Sequence, residues 1–276
     1  MAQISASEVA KLRKATGAGL MDCKGALEEA NGDFEAAVDV LRKKGQKVAS
    51  KRADREASEG CVIAKTSANG ATGVMVSLNC ETDFVAKNND FVALTNEIAD
   101  LALANKPANL QELLAIPFRG ATIGDEVVNQ TGVIGEKIEL SYYEKVEAAF
   151  VMPYIHQGNK LGVIVGFSKD VANQQMAKDV AMQIAAMSPI AVDKDGVDEK
   201  TIAKEIEIGK EIAMNEGKPA EMAEKIAIGR LGKFYKESTL VEQQFVKDNK
   251  KTVGQYIAET DKNLAVTEFK RFSLNA

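Results

Sequence analysis

A change of sequence period near Glu59 sets the limits on what this chain can fold into. Upstream, apolar residues recur at three- and four-residue steps. Downstream, residues 61–65, 73–78 and 163–167 are short apolar or alternating runs bounded by Gly, Asn and Ser. Side chains repeat every ~3.6 residues around a helix and every ~2 along a strand, so the first region reads as helical and the second as sheet-forming. Helical spacing returns over residues 197–237, and the reading is an α+β fold.

The amino-terminal helices carry start and stop signals. Ser5 and Glu8 form a capping box, Ile4 and Val9 are placed to staple across it, and the helix is predicted to end at Thr16-Gly17. A second helix spans 19–30 and stops at Asn31-Gly32. A third starts at Asp33, runs through Ala37, Val38 and Leu41, and ends near Gly45. Three short helices make a small bundle. Residues 42–55 then carry seven Lys or Arg against one Asp, which suits either a phosphate-reading patch or a solvated linker; a net charge of -5 favours the linker.

Helical patterns follow two of the strand runs, over 91–104 and 173–187, each close to a proline, Pro107 and Pro189. Gly73 matches Gly162 at an offset of 89, and Pro107 matches Pro189 at 82, so the first copy of this weak repeat holds seven extra residues between strand and helix. They are expected where Asp83-Phe84-Val85 sits. Past Asp193-Lys194-Asp195-Gly196, helices over 197–215 and 220–237 flank Gly217-Lys218-Pro219 and form an antiparallel hairpin, with Ile202, Ile206, Ile212, Met222, Ile226 and Leu231 as its seam. Such a hairpin offers a contact arm, for a partner or for a second copy of the chain. Thr252-Val253-Gly254-Gln255 opens a short helix, and residues 266–272 alternate as a strand that rejoins the sheet. The expected division is the bundle with its basic linker (1–55), a first core subdomain (56–145), a second (146–195 with 240–276) and the inserted hairpin (196–239).

Composition narrows the function classes. With 276 residues, 45% of them apolar, the chain can bury about three quarters of its unfolded surface and needs no staples. Cys23, Cys61 and Cys80 are odd in number and far apart, which fits neither a disulfide framework nor a metal knuckle and points to a reducing cytosol. No stretch approaches the ~18 apolar residues of a spanning helix, and the first residues lack the basic-then-apolar pattern of a leader, so a cytoplasmic location is expected. The sequence contains no GxxxxGK[ST], GxGxxG, HExxH, GxSxG or CxxC. His156 is the only histidine, so a cysteine hydrolase would need it beside Cys80 or Cys23. Asp193-Lys194-Asp195-Gly196 lacks the third ligand position and distal Glu of a calcium loop and reads as a turn. No metal, cofactor, membrane or stable nucleic-acid partner is expected.

The stretch Asn79-Cys80-Glu81-Thr82-Asp83-Phe84-Val85 remains, a large apolar ring beside carboxylates in a connection. Connections run over the surface, so the Phe-Val pair is either tucked onto the core or held out for a partner to bury. Its place in the extra segment favours exposure. Asp83 has a blander use as a cap of the following helix. A scaffold using the bundle and hairpin as adaptor surfaces fits these residues as well.

Four strings together decide between these readings: LRKATGAGLMDCK over 12–24, NCETDFVAKN over 79–88, YIHQGNKLG over 154–162, and GKP over 217–219 with EQQFVK over 242–247. Taken together they resemble the bacterial elongation factor Ts family across nearly the whole chain. The resemblance implies an amino-terminal three-helix domain of ubiquitin-associated type, two related α+β subdomains and an inserted helical hairpin. It also implies guanine-nucleotide exchange without catalytic chemistry: binding to elongation factor Tu and accelerated GDP release. In this family an Asp-Phe wedge, here Asp83 and Phe84 flanked by Thr82 and Val85, enters the partner near its nucleotide and magnesium site. Leu12, Leu20, Met21 and Lys24 are implied contacts to the same partner domain, and His156 to a second one. Some members continue past the final strand into a further helical module, whereas this sequence stops at Phe272-Ser273-Leu274-Asn275-Ala276.

Overall fold

The computed structural model describes residues 4–274. α1 (Ala6–Thr16) begins at Ser5, whose hydroxyl accepts from the Glu8 amide while the Glu8 carboxylate accepts from the Ser5 amide; it ends at Gly17 in the left-handed conformation. α2 (Leu20–Glu29) and α3 (Phe34–Arg52) complete a bundle around Leu12, Cys23, Leu27, Ala37 and Leu41. The expected stop at Gly45 is corrected, because α3 continues to Arg52. Gly45 is buried inside the helix as a crossing point, and most of the basic run is therefore helix rather than linker.

β1 (Glu59–Thr66) and β2 (Thr72–Cys80) form an antiparallel hairpin, followed by α4 (Asp83–Ala86) and α5 (Asn89–Asn105). α6 (Leu110–Leu114), the two-residue strands β3 (Pro117–Phe118) and β4 (Ala121–Thr122), and α7 (Ile123–Ile134) lead to β5 (Glu139–Glu147), which pairs with β2. The second half repeats this plan with β6 (Phe150–Ile155), β7 (Leu161–Phe167) and α8 (Gln174–Met187). After α9 (Glu199–Asn215), α10 (Ala220–Ser238), β8 (Gln244–Phe245), β9 (Asp248–Thr252) and α11 (Val253–Thr260), β10 (Val266–Ser273) returns to pair with β7. Each three-stranded sheet thus has its hairpin, its helix and a late third strand in the same order, β1-β2-β5 and β6-β7-β10.

The two sheets face each other across Val62, Met75, Val146, Val151 and Ile164, while α5 and α8 cover their outer faces. Central strand β2 is buried along its whole length, with Val74, Val76 and Leu78 in the first-sheet core and Met75 facing the second sheet. The matched glycines have a common cause: a Cβ on Gly73 would lie 2.5 Å from Val151 Cγ1, and one on Gly162 2.7 Å from Met75 Sδ. Each lets the opposite sheet approach closely. The seven extra residues are shared out. Past its matched glycine β2 is two residues longer than β7, the connection holds eight residues against six, and α5 has 17 residues against 14 in α8.

The hairpin seam also differs from expectation. Small residues make it: Gly209 and Ala213 of α9 meet Ala223 and Ala227 of α10, and a Cβ on Gly209 would touch that of Ala227 at 3.0 Å. Of the expected seam residues, Ile202, Ile206, Ile226 and Leu231 are half-buried, whereas Ile212 and Met222 stand exposed along with Ile208, Met214 and Ile228. At the hairpin's start, Asp193 caps a short 3-10 turn by accepting from the Asp195 and Gly196 amides.

Candidate partner-binding site

α4 is a single turn between the end of β2 and the start of α5. Thr82 opens it in an extended conformation with its hydroxyl facing the Val85 amide, and Asn88 opens α5 by accepting from the Asp90 amide. A four-residue helix does not hold itself together in water. This one is pinned by Ala86, which is buried, and by Val85, which is half-buried against the first-sheet core.

Phe84 points the other way. It is 84% exposed, the most exposed of the large apolar side chains among the described residues. Leaving such a ring in water forgoes about 1.5–3 kcal/mol of burial, which a partner that covers it recovers. Asp83 lies beside it in an ion pair with Lys87 at 2.6 Å, and that hydrogen bond holds the Asp83 carboxyl below its ordinary value and raises the Lys87 ammonium. Asp83 is the first residue of the turn, and Thr82, not Asp83, is its cap.

Two carboxylates beneath the turn interlock. Glu136 Oε2 accepts from the Glu81 and Thr82 amides at 3.1 and 3.0 Å, and its Oε1 accepts from the Thr82 hydroxyl at 2.7 Å. Glu81 Oε1 accepts in return from the Lys137 amide at 2.6 Å and from Arg52 Nη1 at 2.7 Å. The Lys137 amide, followed by Arg52, holds the Glu81 carboxyl below the usual range.

His156 is exposed in the β6–β7 turn, with Nδ1 3.0 Å from the Tyr154 hydroxyl. That turn is docked on β1, since the Val62 amide donates to Asn159 O and Lys160 pairs with Glu59, while Lys160 also acts on the Asp83 charge. His156 and α4 therefore belong to the same end of the molecule. In the bundle, Leu20 is 53% and Met21 72% exposed, and Lys24, paired loosely with Glu28, shares their helix face. Leu12 departs from the expected contact set: it is 0% exposed in the bundle core, as an apolar residue one turn before a helix end commonly is. A cleft of about 800 Å³ lies between bundle and core, bordered by Gly17 on one side and Val85 and Phe91 on the other.

A cysteine hydrolase finds no support in this arrangement. All three cysteines are buried, and burial, aided by the Glu136 charge, pushes the Cys80 thiol up to about 12 while it donates to Thr82 O. A thiol in that state is a poor nucleophile. Among the described residues, no group of His, Cys, Asp or Glu is arranged to hold a metal ion, and no helix is long and apolar enough to cross a membrane.

Residues 81–276 match the family described as Elongation factor TS. Over 275 residues, covering 99% of this chain and 100% of each relative, the sequence is 53% identical to an elongation factor Ts of Flavobacterium psychrophilum and 52% identical to one of Christiangramia forsetii. It is 51% identical over 274 residues to an elongation factor Ts of Porphyromonas gingivalis, covering 99% of both chains. The chain belongs to the elongation factor Ts family.

Around the exposed ring of this elongation factor Ts chain, sequence reasoning did not find Glu136, Lys137 or Arg52. Nothing in local spacing relates residue 81 to residue 136. Arg52 was within reach, because no breaker interrupts the helical run after Gly45 until past Arg52.

Proposed function

We propose that this chain is a guanine-nucleotide exchange factor that binds elongation factor Tu and speeds the release of GDP, using Asp83 and Phe84 as a wedge. The observation that carries the reading is Phe84, an aromatic ring held almost wholly in water on a turn that is otherwise anchored at Thr82, Val85 and Ala86. Inserted into the nucleotide domain, the ring displaces the elements that shape the site, and the neighbouring carboxylate disturbs the oxygen shell of a magnesium ion that tolerates little departure from octahedral geometry. Coupling of this kind is reciprocal, so bound GDP weakens the grip on the exchange factor by the same factor. No bond is made or broken, and the chain acts without catalytic chemistry of its own.

Leu20, Met21 and Lys24 supply a second contact from a bundle of ubiquitin-associated type, and His156 a third. The same reading divides the chain into that bundle (1–55), two core subdomains (56–145, and 146–195 with 240–276) and the hairpin arm (196–239), acting in the cytoplasm.

Stopped-flow release of a fluorescent GDP from elongation factor Tu tests the proposal with wild type, Phe84→Ala and buffer side by side. Wild type is expected to accelerate release and Phe84→Ala to lose about ten- to a hundredfold of that acceleration, the equivalent of burying one Phe. Equal rates for wild type and a folded Phe84→Ala would reject the wedge, and no acceleration by wild type would reject exchange altogether.

A further inference from the structure

We infer that Glu136 is a positioning residue for the wedge, acting with Glu81 as a reciprocal clamp on the backbone that leads into α4; the inference rests on the exchange reading above. Segments 81–82 and 136–137 each donate backbone amides to a carboxylate of the other, so they are locked in both directions. Glu136 alone holds two successive amides and the hydroxyl of Thr82, the residue that opens the turn two positions before Phe84. Gly135, at φ 82°, ends α7 in the left-handed conformation and turns the chain so that Glu136 faces this loop.

The need for such a clamp follows from the turn itself. α4 has one turn of helix, and its apolar anchors, Val85 and Ala86, lie on the carboxyl-terminal side of Phe84. Without Glu136, the Glu81 and Thr82 amides and the Thr82 hydroxyl lose their acceptor. The amino-terminal side then keeps the Glu81 carboxylate on Lys137 and Arg52, the Cys80 thiol and Ala86 amide on Thr82 O, and the long contact between the Thr82 hydroxyl and the Val85 amide at 3.5 Å. A ring presented from a loosely held turn loses insertion geometry before it loses affinity, because misplacement acts on the step that needs the exact placement of the ring. Arg52 extends the clamp to the last turn of α3, so the wedge and the bundle that carries Met21 share one fixed support.

The test compares Glu136→Ala with Glu136→Gln. A glutamine keeps all three bonds, its carbonyl accepting the two amides and its amide donating to the Thr82 hydroxyl, whereas alanine keeps none. Exchange is measured over a range of exchange-factor concentrations, so that the saturating GDP-release rate and the half-saturating concentration are obtained separately. Glu136→Ala is expected to lower the saturating rate about tenfold with a far smaller change in half-saturation, and Glu136→Gln to restore most of it. In a Phe84→Ala background, Glu136→Ala is expected to add no further loss.

A saturating rate unchanged in a folded Glu136→Ala, an equal loss in Glu136→Gln, or a full additional loss on top of Phe84→Ala would each overturn the positioning role. Hydrogen exchange at the Thr82 and Val85 amides reports on the clamp without elongation factor Tu. Faster exchange there in Glu136→Ala but not in Glu136→Gln is expected, and unchanged protection would overturn the clamp. If wild type itself fails to release GDP, it is the exchange reading that falls, and the amide measurement still decides whether the clamp exists.

Discussion

Gly132 of α7 crosses Gly45 of α3 so closely that a Cβ on Gly132 would lie 2.5 Å from the Gly45 Cα. Two helices meet backbone to backbone, and this crossing docks the three-helix bundle on the core. Gly132→Ala is expected to lower stability by about 1–3 kcal/mol, the usual cost of forcing volume into a packed contact. Gly229→Ala, in an α10 position with nothing within 4 Å of the added methyl, is expected to raise stability by about 0.5–1 kcal/mol by relieving glycine's entropy cost. Urea midpoints of the two variants decide the matter, since the opposite signs cannot come from a general effect of Gly→Ala.

The same glycine explains what the sequence leaves hidden. A glycine after an apolar helical run reads as a stop, and only the partner helix, nearly ninety positions away, shows Gly45 to be a crossing point. β5 was obscured by a different cause. A bulge leaves Ser141 of β5 unpaired between the Ser77–Tyr142 and Leu78–Leu140 pairs and sets the buried Leu140 and Tyr143 three apart. Val146, buried on the opposite face against the second sheet, adds another step of three, so the strand imitates a helix. α7 did carry a signal, the capping box of Thr122 and Asp125. Of the site, Phe84 and its neighbours were legible because an apolar ring in a connection is anomalous locally. Glu136 was not, because its role exists only through contacts more than fifty residues away in the chain.

Leu12 and Met21 separate packing from contact within one bundle. Leu12 is fully buried and Met21 is 72% exposed. Leu12→Ala is expected to cost about 2–5 kcal/mol of stability, with loss of exchange only in proportion to unfolded protein. Met21→Ala is expected to leave stability within about 0.5 kcal/mol and to raise the half-saturating concentration in GDP release roughly fivefold, or about 1 kcal/mol of lost contact. A Met21→Ala variant with unchanged half-saturation would remove the α2 face from the partner surface.

Arg52 and Glu81 connect the bundle to the wedge through a partly exposed ion pair at 2.7 Å. A double-mutant cycle of Arg52→Ala and Glu81→Gln is expected to give a coupling of about 0.5–1 kcal/mol in stability, shrinking as salt is raised. Because the Glu81 carboxyl sits below its ordinary value of 4.5, its contribution is present above that pH and is lost as the pH falls through the lower folded-state value. A coupling that stays constant down to strongly acid pH would show that charge on Glu81 is not what ties the two elements.

Asp179 is the corresponding hub in the second half of the core. It is buried on α8, and its carboxylate accepts from Gln175 at 2.7 Å, from Lys247 at 2.7 Å and from the Tyr256 hydroxyl at 2.9 Å, drawing together α8, the β8–β9 turn and α11. Burial raises its pKa, but the bonds from Lys247, Gln175 and Tyr256 outweigh burial and hold it below 3.8. Its folded form therefore favours the charged carboxylate, and the stability this adds is complete above the ordinary value and disappears as the pH falls through the folded-state value. Asp179→Ala is expected to cost about 2 kcal/mol near neutral pH, less than a fully buried pair would, because Lys247 can turn to solvent. The gap between wild type and variant in urea midpoint is then expected to close on acidification below the ordinary value of 3.8. A gap that persists unchanged there would mean that Asp179 acts through shape alone, and a gap that widens would mean that its folded-state pKa is raised.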